Sequence, residues 1–209
     1  MSIVLVDCYD SFTYNIVHAL GVLGEKVTVV RCDDTKSLEL LGSSIDGIIL
    51  GPGPGHPEQA GCLIPLVRAL QDVCPILGVC LGHQAIAVAL GGSLIEHSPV
   101  HGHATEINHD KSGLFVGLSS PLHMTRYHSL VVDSRTLPHT LNANAWSQDQ
   151  AIMGLSHKTR PIHGVQFHPE SVLSGQPGLA LLGNFVRIVR RFHHVSKTSG
   201  RCGMGFVQQ

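Results

Sequence analysis

The sequence predicts an α/β fold: an open, mainly parallel twisted sheet flanked by helices, with an added antiparallel strand region in the C-terminal half. Three observations predict it. Over the first 90 residues, short apolar runs rich in β-branched residues alternate with helical patterns. Those runs are almost continuously apolar, which marks strands buried on both faces and hence parallel pairing with helical crossovers. Past residue 92 the texture changes to short, alternating, turn-bounded segments, which read as further strands.

The elements follow in order. "IVLVD" (Ile3–Asp7) is the first strand. A helix follows, with Asp10 or Ser11 as cap and Tyr14, Val17, His18 and Gly21 on one face. "KVTVV" (Lys26–Val30), "GIIL" (Gly47–Leu50) and "PILGV" (Pro75–Val79) are further strands. A helix after Cys80, "HQAIAVAL", stops at Gly91-Gly92. "ATEINH", "LHMTRYHSLVV", "TLNANAWS", "AIMGLSH" and "IHGVQFH" read as the strands of the second half. A last helix spans Gly178 to about Phe192 on the spacing of Leu179, Leu182, Phe185, Val186 and Val189. The expected organisation is one domain over residues 1–193 and a poorly ordered tail over 194–209, rich in Ser, Gly and Lys.

Composition narrows the function classes. The 209 residues are 43% hydrophobic and 14% charged, with a net charge of −1, so nothing favours nucleic acid or an acidic membrane as partner. The one basic cluster, Arg187, Arg190 and Arg191, reads as a solvated helix face. No apolar run approaches the roughly 18 residues that span a bilayer. Six cysteines without a C-x-x-C pair point to a reducing, cytoplasmic setting.

One cysteine stands apart. In "GVCLGHQ" (Gly78–Gln84) a strand runs into G-x-C-x-G and then a helix, the arrangement of a nucleophile elbow. The helix N-terminus favours thiolate at Cys80, and the Leu81 N–H points to where an oxyanion would develop. A thiol nucleophile requires a base, and "GVQFHPES" offers one. His168 and Glu170 are two apart, so an extended backbone stiffened by Pro169 projects both side chains one way. Glu170 then accepts from one imidazole nitrogen while the other faces the thiol, which is triad logic with Cys as nucleophile. The third element is "LGPGPGHPEQAG" (Leu50–Gly61), a strand end followed by alternating Gly and Pro. It lies where strand C-termini line a site, and a glycine N–H there supplies a second oxyanion donor.

"GPGPG", "GVCLGHQ" and "GVQFHPES", in that order, resemble the class I (triad-type) glutamine amidotransferases over roughly residues 2–192. "YDSFTYN" (Tyr9–Asn15) and "RYHSLVV" (Arg126–Val132) narrow the resemblance to the small glutaminase subunit of the chorismate-using synthases. These make anthranilate or 4-amino-4-deoxychorismate. The resemblance implies a flavodoxin-like fold, with Cys80 as nucleophile, His168 as general acid/base and Glu170 as its orienter. It implies an oxyanion hole from the Gly53 and Leu81 N–H groups. L-Glutamine would be held by Gly53, Pro54, Gly55, Gln84 and the Ser129–Leu130 backbone. Asp10, Ser11 and Phe12 would face a large chorismate-binding synthase subunit, the partner in a heterodimer or heterotetramer. No cofactor is implied for this chain, and Mg²⁺ is expected in the partner. Cys8 stands where relatives commonly have Asn, Gly51 where many have Ser, and His103 where Lys is common.

The expected reaction is hydrolysis of glutamine to glutamate and ammonia, with the ammonia passed to the partner. Three other readings stand beside it. A non-catalytic relative would be marked by loss of Cys80, His168 or Glu170, and all three are present. A cysteine hydrolase for another γ-glutamyl or ester substrate is disfavoured by Gln84 and "YHSL", and an amidotransferase for another acceptor by "DSFTYN" and "RYHSLVV". A metal site on His101, His103, His109 and His123 lacks a Cys or acidic set to complete it, and these are expected to be loop histidines.

Overall fold

The structure, a computed structural model, describes residues 1–34 and 45–198. Its centre is one nine-stranded mixed sheet of order β2-β1-β3-β4-β9-β8-β7-β5-β6. The strands are β1 (Ile3–Asp7), β2 (Val27–Arg31), β3 (Gly47–Leu50), β4 (Ile76–Val79), β5 (Leu94–His109), β6 (Leu122–Val132), β7 (Leu141–Ser147), β8 (Ile152–His157) and β9 (Ile162–Val165). The helices are α1 (Thr13–Val22), α2 (Leu63–Leu70), α3 (Leu81–Ala89) and α4 (Gly175–Thr198). β2, β1, β3, β4 and β9 pair in parallel, and β9-β8-β7-β5-β6 continue antiparallel.

β1, β3, β4 and β9 are buried almost throughout, as parallel strands covered on both faces must be. One side of the sheet packs Leu63, Leu66, Val67 and Leu70 of α2 with Ala85, Ile86 and Ala89 of α3. The other packs Ile16 and Leu20 of α1 with Leu181, Leu182, Phe185 and Val189 of α4. The stretch Val172–His194 is long and apolar enough by composition to cross a membrane, yet half of it is buried inside this fold.

Several expectations are corrected. The buried face of α1 is Thr13, Ile16 and Leu20, whereas Tyr14 is 67% exposed. Thr13, Ile16 and Leu20 recur at helical spacing toward the sheet, and Tyr14 falls outside that stripe. The cap position of α1 is Phe12 rather than Asp10 or Ser11. Two carboxylates order this start: Asp7 Oδ1 accepts from Thr13 Oγ1 at 2.8 Å and from the Tyr9 amide at 3.0 Å, and Asp10 Oδ1 accepts from the Phe12 amide at 2.8 Å. α2 has no counterpart among the expected elements. Pro65 lies in its first turn, where a missing N–H costs nothing. β5 is a sixteen-residue strand with register shifts between Glu96 and Val100 and between His101 and His103. β9 pairs on one side with β4 in the parallel core, so "IHGVQFH" is not wholly an antiparallel element. α4 begins at Gly175 and runs to Thr198, beyond the expected end near Phe192. The remaining tail, 199–209, lies outside the described residues.

The antiparallel strands curl so far that β6, the last strand in the order, reaches the segment following β9. Thr125 and His168 form a β-bridge there, the His168 amide donating to the Thr125 carbonyl at 2.9 Å.

The glycines around Cys80 are required by backbone contact. A Cβ on Gly82 would come 2.1 Å from the Leu50 carbonyl oxygen, and one on Gly78 would come 2.4 Å from the Gly82 carbonyl carbon. Gly82→Ala is therefore expected to cost about 3 kcal/mol, measured by urea unfolding. Gly21→Ala, with nothing within 4 Å of the new methyl, should be neutral or mildly stabilising.

Candidate active site

The parallel strands deliver their C-terminal ends to one place. β3 ends at Leu50 and opens into Gly51–His56, β4 ends at Val79 before Cys80, and β9 ends at Val165 before His168. β3, β4 and β9 are successive neighbours, so the three expected motifs meet at one edge of the sheet.

Cys80 sits on the elbow with φ +51° and ψ −100°, a backbone rarely adopted by a residue with a Cβ. Its amide donates to the Val165 carbonyl at 2.8 Å, and its carbonyl accepts from the Gln84 amide at 3.1 Å. The strained residue is thereby pinned to β9 on one side and α3 on the other. Leu81, the first residue of α3, has an amide with no acceptor inside its own helix. Gly53 approaches so closely that a Cβ there would lie 2.6 Å from Cys8 Cβ and 2.8 Å from Leu81 Cδ2. Pro54 and Gly55 are exposed, and Gly55 has φ +78°.

His168 and Glu170 are paired by Nδ1 and Oε1 at 2.7 Å, with side chains 2% and 0% exposed. The backbone between them is a turn, not the extended segment expected: the Ser171 amide donates to the His168 carbonyl at 3.3 Å. Ser174 Oγ donates to that same carbonyl at 2.6 Å and accepts from the Thr125 amide at 3.1 Å, which ties the His168 backbone to β6. Burial alone pushes His168 down. The hydrogen bonds and charges of Cys80 and Glu170 outweigh it and raise the ring to about 10. Its Nε2 is buried without a well-formed hydrogen bond, while the Cys80 side chain is near enough to act on its protonation. The ring is walled by Phe12, at 5.5 Å between centroids, and by Tyr127 edge-on at 5.2 Å. Phe12 thus lies against the histidine, while Ser11 is exposed and Asp10 half-buried beside it.

Gln84 is buried, and its Nε2 donates to the Leu130 carbonyl at 3.1 Å and to Gln166 Oε1 at 3.2 Å. With both amide hydrogens engaged, its carbonyl oxygen is left to receive a donor. Gln166 Nε2 lies 3.6 Å from Cys80 Sγ as donor, so one chain of contacts links Leu130, Gln84, Gln166 and the thiol. Ser129 is exposed and Leu130 half-buried at the end of this chain. Gln166, Thr125, Ser174 and Tyr127 are not among the expected site residues. Gln166 has a legible signal all the same: a polar side chain between the fully buried Val165 and Phe167 must find partners.

Among the described residues no group of three or more His, Cys, Asp or Glu could hold a metal. His101, His103, His109 and His123 lie on strands β5 and β6, not in loops. His109 stacks on Phe115 at 4.7 Å and bonds to the Ser119 carbonyl.

The arrangement presents a thiol, a histidine–carboxylate pair and backbone N–H groups at one strand edge, the set needed for acyl transfer through a thioester. The sequence profile of the family "Glutamine amidotransferase class-I" matches residues 4–189. Anthranilate synthase component 2 of Azospirillum brasilense is 45% identical over 191 residues, covering 90% of this chain and 97% of its own. Aminodeoxychorismate synthase component 2 of Escherichia coli (strain K12) is 44% identical over 185 residues, covering 88% and 98%. A solved structure described as a GMP synthase subunit from Thermoplasma acidophilum superposes with a TM-score of 0.84 at 28% identity, covering 94% of this chain and 98% of that one. The mixed sheet, parallel in one half and antiparallel in the other, the strand-edge thiol and these matches agree: the chain belongs to the class I glutamine amidotransferase family and is a glutamine amidotransferase.

Proposed function

We propose that this chain is the glutaminase component of a chorismate-aminating synthase, serving anthranilate or 4-amino-4-deoxychorismate formation. The observation that carries the chemistry is the elbow at Cys80 beside the buried His168–Glu170 pair. Cys80 attacks the side-chain carboxamide of glutamine. The Gly53 and Leu81 N–H groups receive the oxyanion, each worth about 3–4 kcal/mol in comparable sites. His168 gives its proton to the departing ammonia, then activates water to hydrolyse the γ-glutamyl thioester. Glu170 orients the ring and stabilises its charge. Gln84 and the Ser129–Leu130 backbone hold the α-amino and carboxylate ends. The Gly53–Gly55 loop, exposed at Pro54 and Gly55, closes the substrate's other side. Gln166 positions Gln84 and Cys80 against one another. Cys80 supplies the nucleophile and His168 the proton, so this half-reaction calls for no metal, and Mg²⁺ belongs with chorismate on the partner.

The partner is argued from chemistry. Ammonia released into neutral water becomes ammonium, which has no free electron pair, so it is useful only when delivered directly. We place the acceptor on a second subunit. The component 2 names of relatives matched over nearly their whole length support that reading. Ser11, Asp10 and Phe12 lie at the site mouth and would face the partner. Five described cysteines are free, which suits a reducing cytoplasm.

The test is glutamate release by the purified chain, alone and with each candidate large subunit plus chorismate. Stimulation of about tenfold or more by one partner is expected. Equal rates in all three conditions would sink the chorismate assignment while leaving the glutaminase chemistry standing.

A further inference from the structure

The three arginines of α4 are all exposed, as expected of a solvated face, but they meet different neighbours. Arg190 ion-pairs with Glu25, whereas Arg187 and Arg191 line a cavity of about 410 Å³. His163 and Asn184 also line it, and the turn at Gly113 forms its wall. Asn184 Nδ2 donates to the Leu114 carbonyl at 2.6 Å and to the Val116 carbonyl at 3.0 Å, fastening α4 to that turn. Arg187 Nη2 donates to Asn184 Oδ1, which fixes the start of its guanidinium. His163 is 8% exposed, and its Nδ1 is buried with no hydrogen-bond partner. A Cβ on Gly113 would come 3.1 Å from that nitrogen, so Nδ1 is closed off against the turn and it is the rest of the ring that lines the cavity.

Two cations four residues apart on a helix repel. Among the described residues no carboxylate lines the cavity, and neither Arg187 nor Arg191 is in an ion pair. A ligand relieves that repulsion: a compact anion with several acceptor oxygens, for which the guanidinium fork is well matched. Burial pushes His163 down to about 4, so near neutral pH it is a neutral hydrogen-bonding group and the arginines supply the charge.

We propose that this cavity binds a phosphoryl group, free or carried by a small metabolite, through Arg187, Arg191 and His163. Its volume falls in the range of metabolite pockets and leaves room beyond the phosphoryl group itself. The site is distinct from the glutamine site: His163 lies on β9 upstream of Gln166 and His168, and α4 begins after Ser174. A ligand joining β9 to α4 would brace the two elements that hold the catalytic segment between them. The inference stands independently of the proposed chorismate partner.

The test is thermal unfolding of the full chain against inorganic phosphate at constant ionic strength, with glycerol 3-phosphate as a second arm. Wild type should show a saturable rise in Tm of about 3–5 °C at ten times the Kd. The Arg187→Gln/Arg191→Gln double variant should lose that rise while keeping its glutaminase rate. His163→Gln should weaken it, and Arg190→Gln should keep it. Tighter saturation by glycerol 3-phosphate would identify a phosphorylated metabolite as the ligand class, and equal or weaker saturation the free anion. A non-saturating rise of the same slope in wild type and double variant, matched by sulfate, is general exclusion of salt from the surface and would overturn the site.

Discussion

Cys80→Ala should abolish glutamine hydrolysis, lowering kcat by about 10⁴-fold or more, because no other group can form the thioester. The fold should survive. Alanine keeps the Cβ, so the strain at φ +51° is unchanged, and the hydrogen bonds of the Cys80 backbone to Val165 and Gln84 do not involve the sulfur. The loss therefore separates chemistry from stability, with urea unfolding as the control. In complex with a cognate synthase subunit, the variant should still support amination when ammonium is supplied directly. Retained glutamine-dependent turnover would refute the thiol mechanism outright. Loss of the ammonium-driven reaction as well would mean that Cys80 is needed to assemble the complex.

Glu170→Gln should lower kcat/KM by about 10²–10⁴-fold, with KM for glutamine little changed. The substitution keeps the shape of the side chain but removes the charge beside His168. Of the influences on that ring, burial pushes the proton off, and the Cys80 and Glu170 interactions hold it on. Without the carboxylate, burial gains, and the ring is neutral over more of the pH range near neutrality. Less imidazolium then stands beside the sulfur, so alkylation of Cys80 by iodoacetamide at neutral pH should slow. In the native protein the raised ring also contributes stability. That contribution is full below the ordinary value of 6.5 and is lost as pH rises toward about 10. A variant with unaltered alkylation kinetics would show that Glu170 is only a buried structural carboxylate.

What the sequence displays most clearly is the parallel half. "IVLVD", "GIIL" and "PILGV" are short, apolar and β-branched, and strands buried on both faces have few other ways to be written. The Cys80 elbow and the His168–Glu170 pair are legible because each is a local signature. G-x-C-x-G reflects backbone contacts at Gly78 and Gly82, and H-P-E places His168 and Glu170 two residues apart. Features set by distant partners are not legible. The covered face of α1 depends on what the sheet presents to it, and the apolar Val17 near Tyr14 draws the stripe toward the solvent side. The helix Leu63–Leu70 is hidden by Pro65, a breaker everywhere but in a first turn. The assignment of β9 to both halves of the sheet depends on β4, more than eighty residues upstream. Gln166 escapes a reading by motif because its role is a relation between two other side chains, Gln84 and Cys80, and neither is its neighbour in the chain.

The bridge between Thr125 and His168 turns half of the sheet into a ring. From β9 through β8, β7, β5 and β6, the strands travel around and return to His168. Along that stretch β6 therefore offers a neighbouring molecule no unpaired rim at Thr125, and the contact that seals it is the same one that sets the histidine. Wherever the ring is loosened, by heat, denaturant or a bulky substitution in β7, the imidazole goes slack with it. Turnover should then decline in step with opening of the ring and ahead of any melting of the parallel strands, so the enzyme carries its own gauge of local integrity.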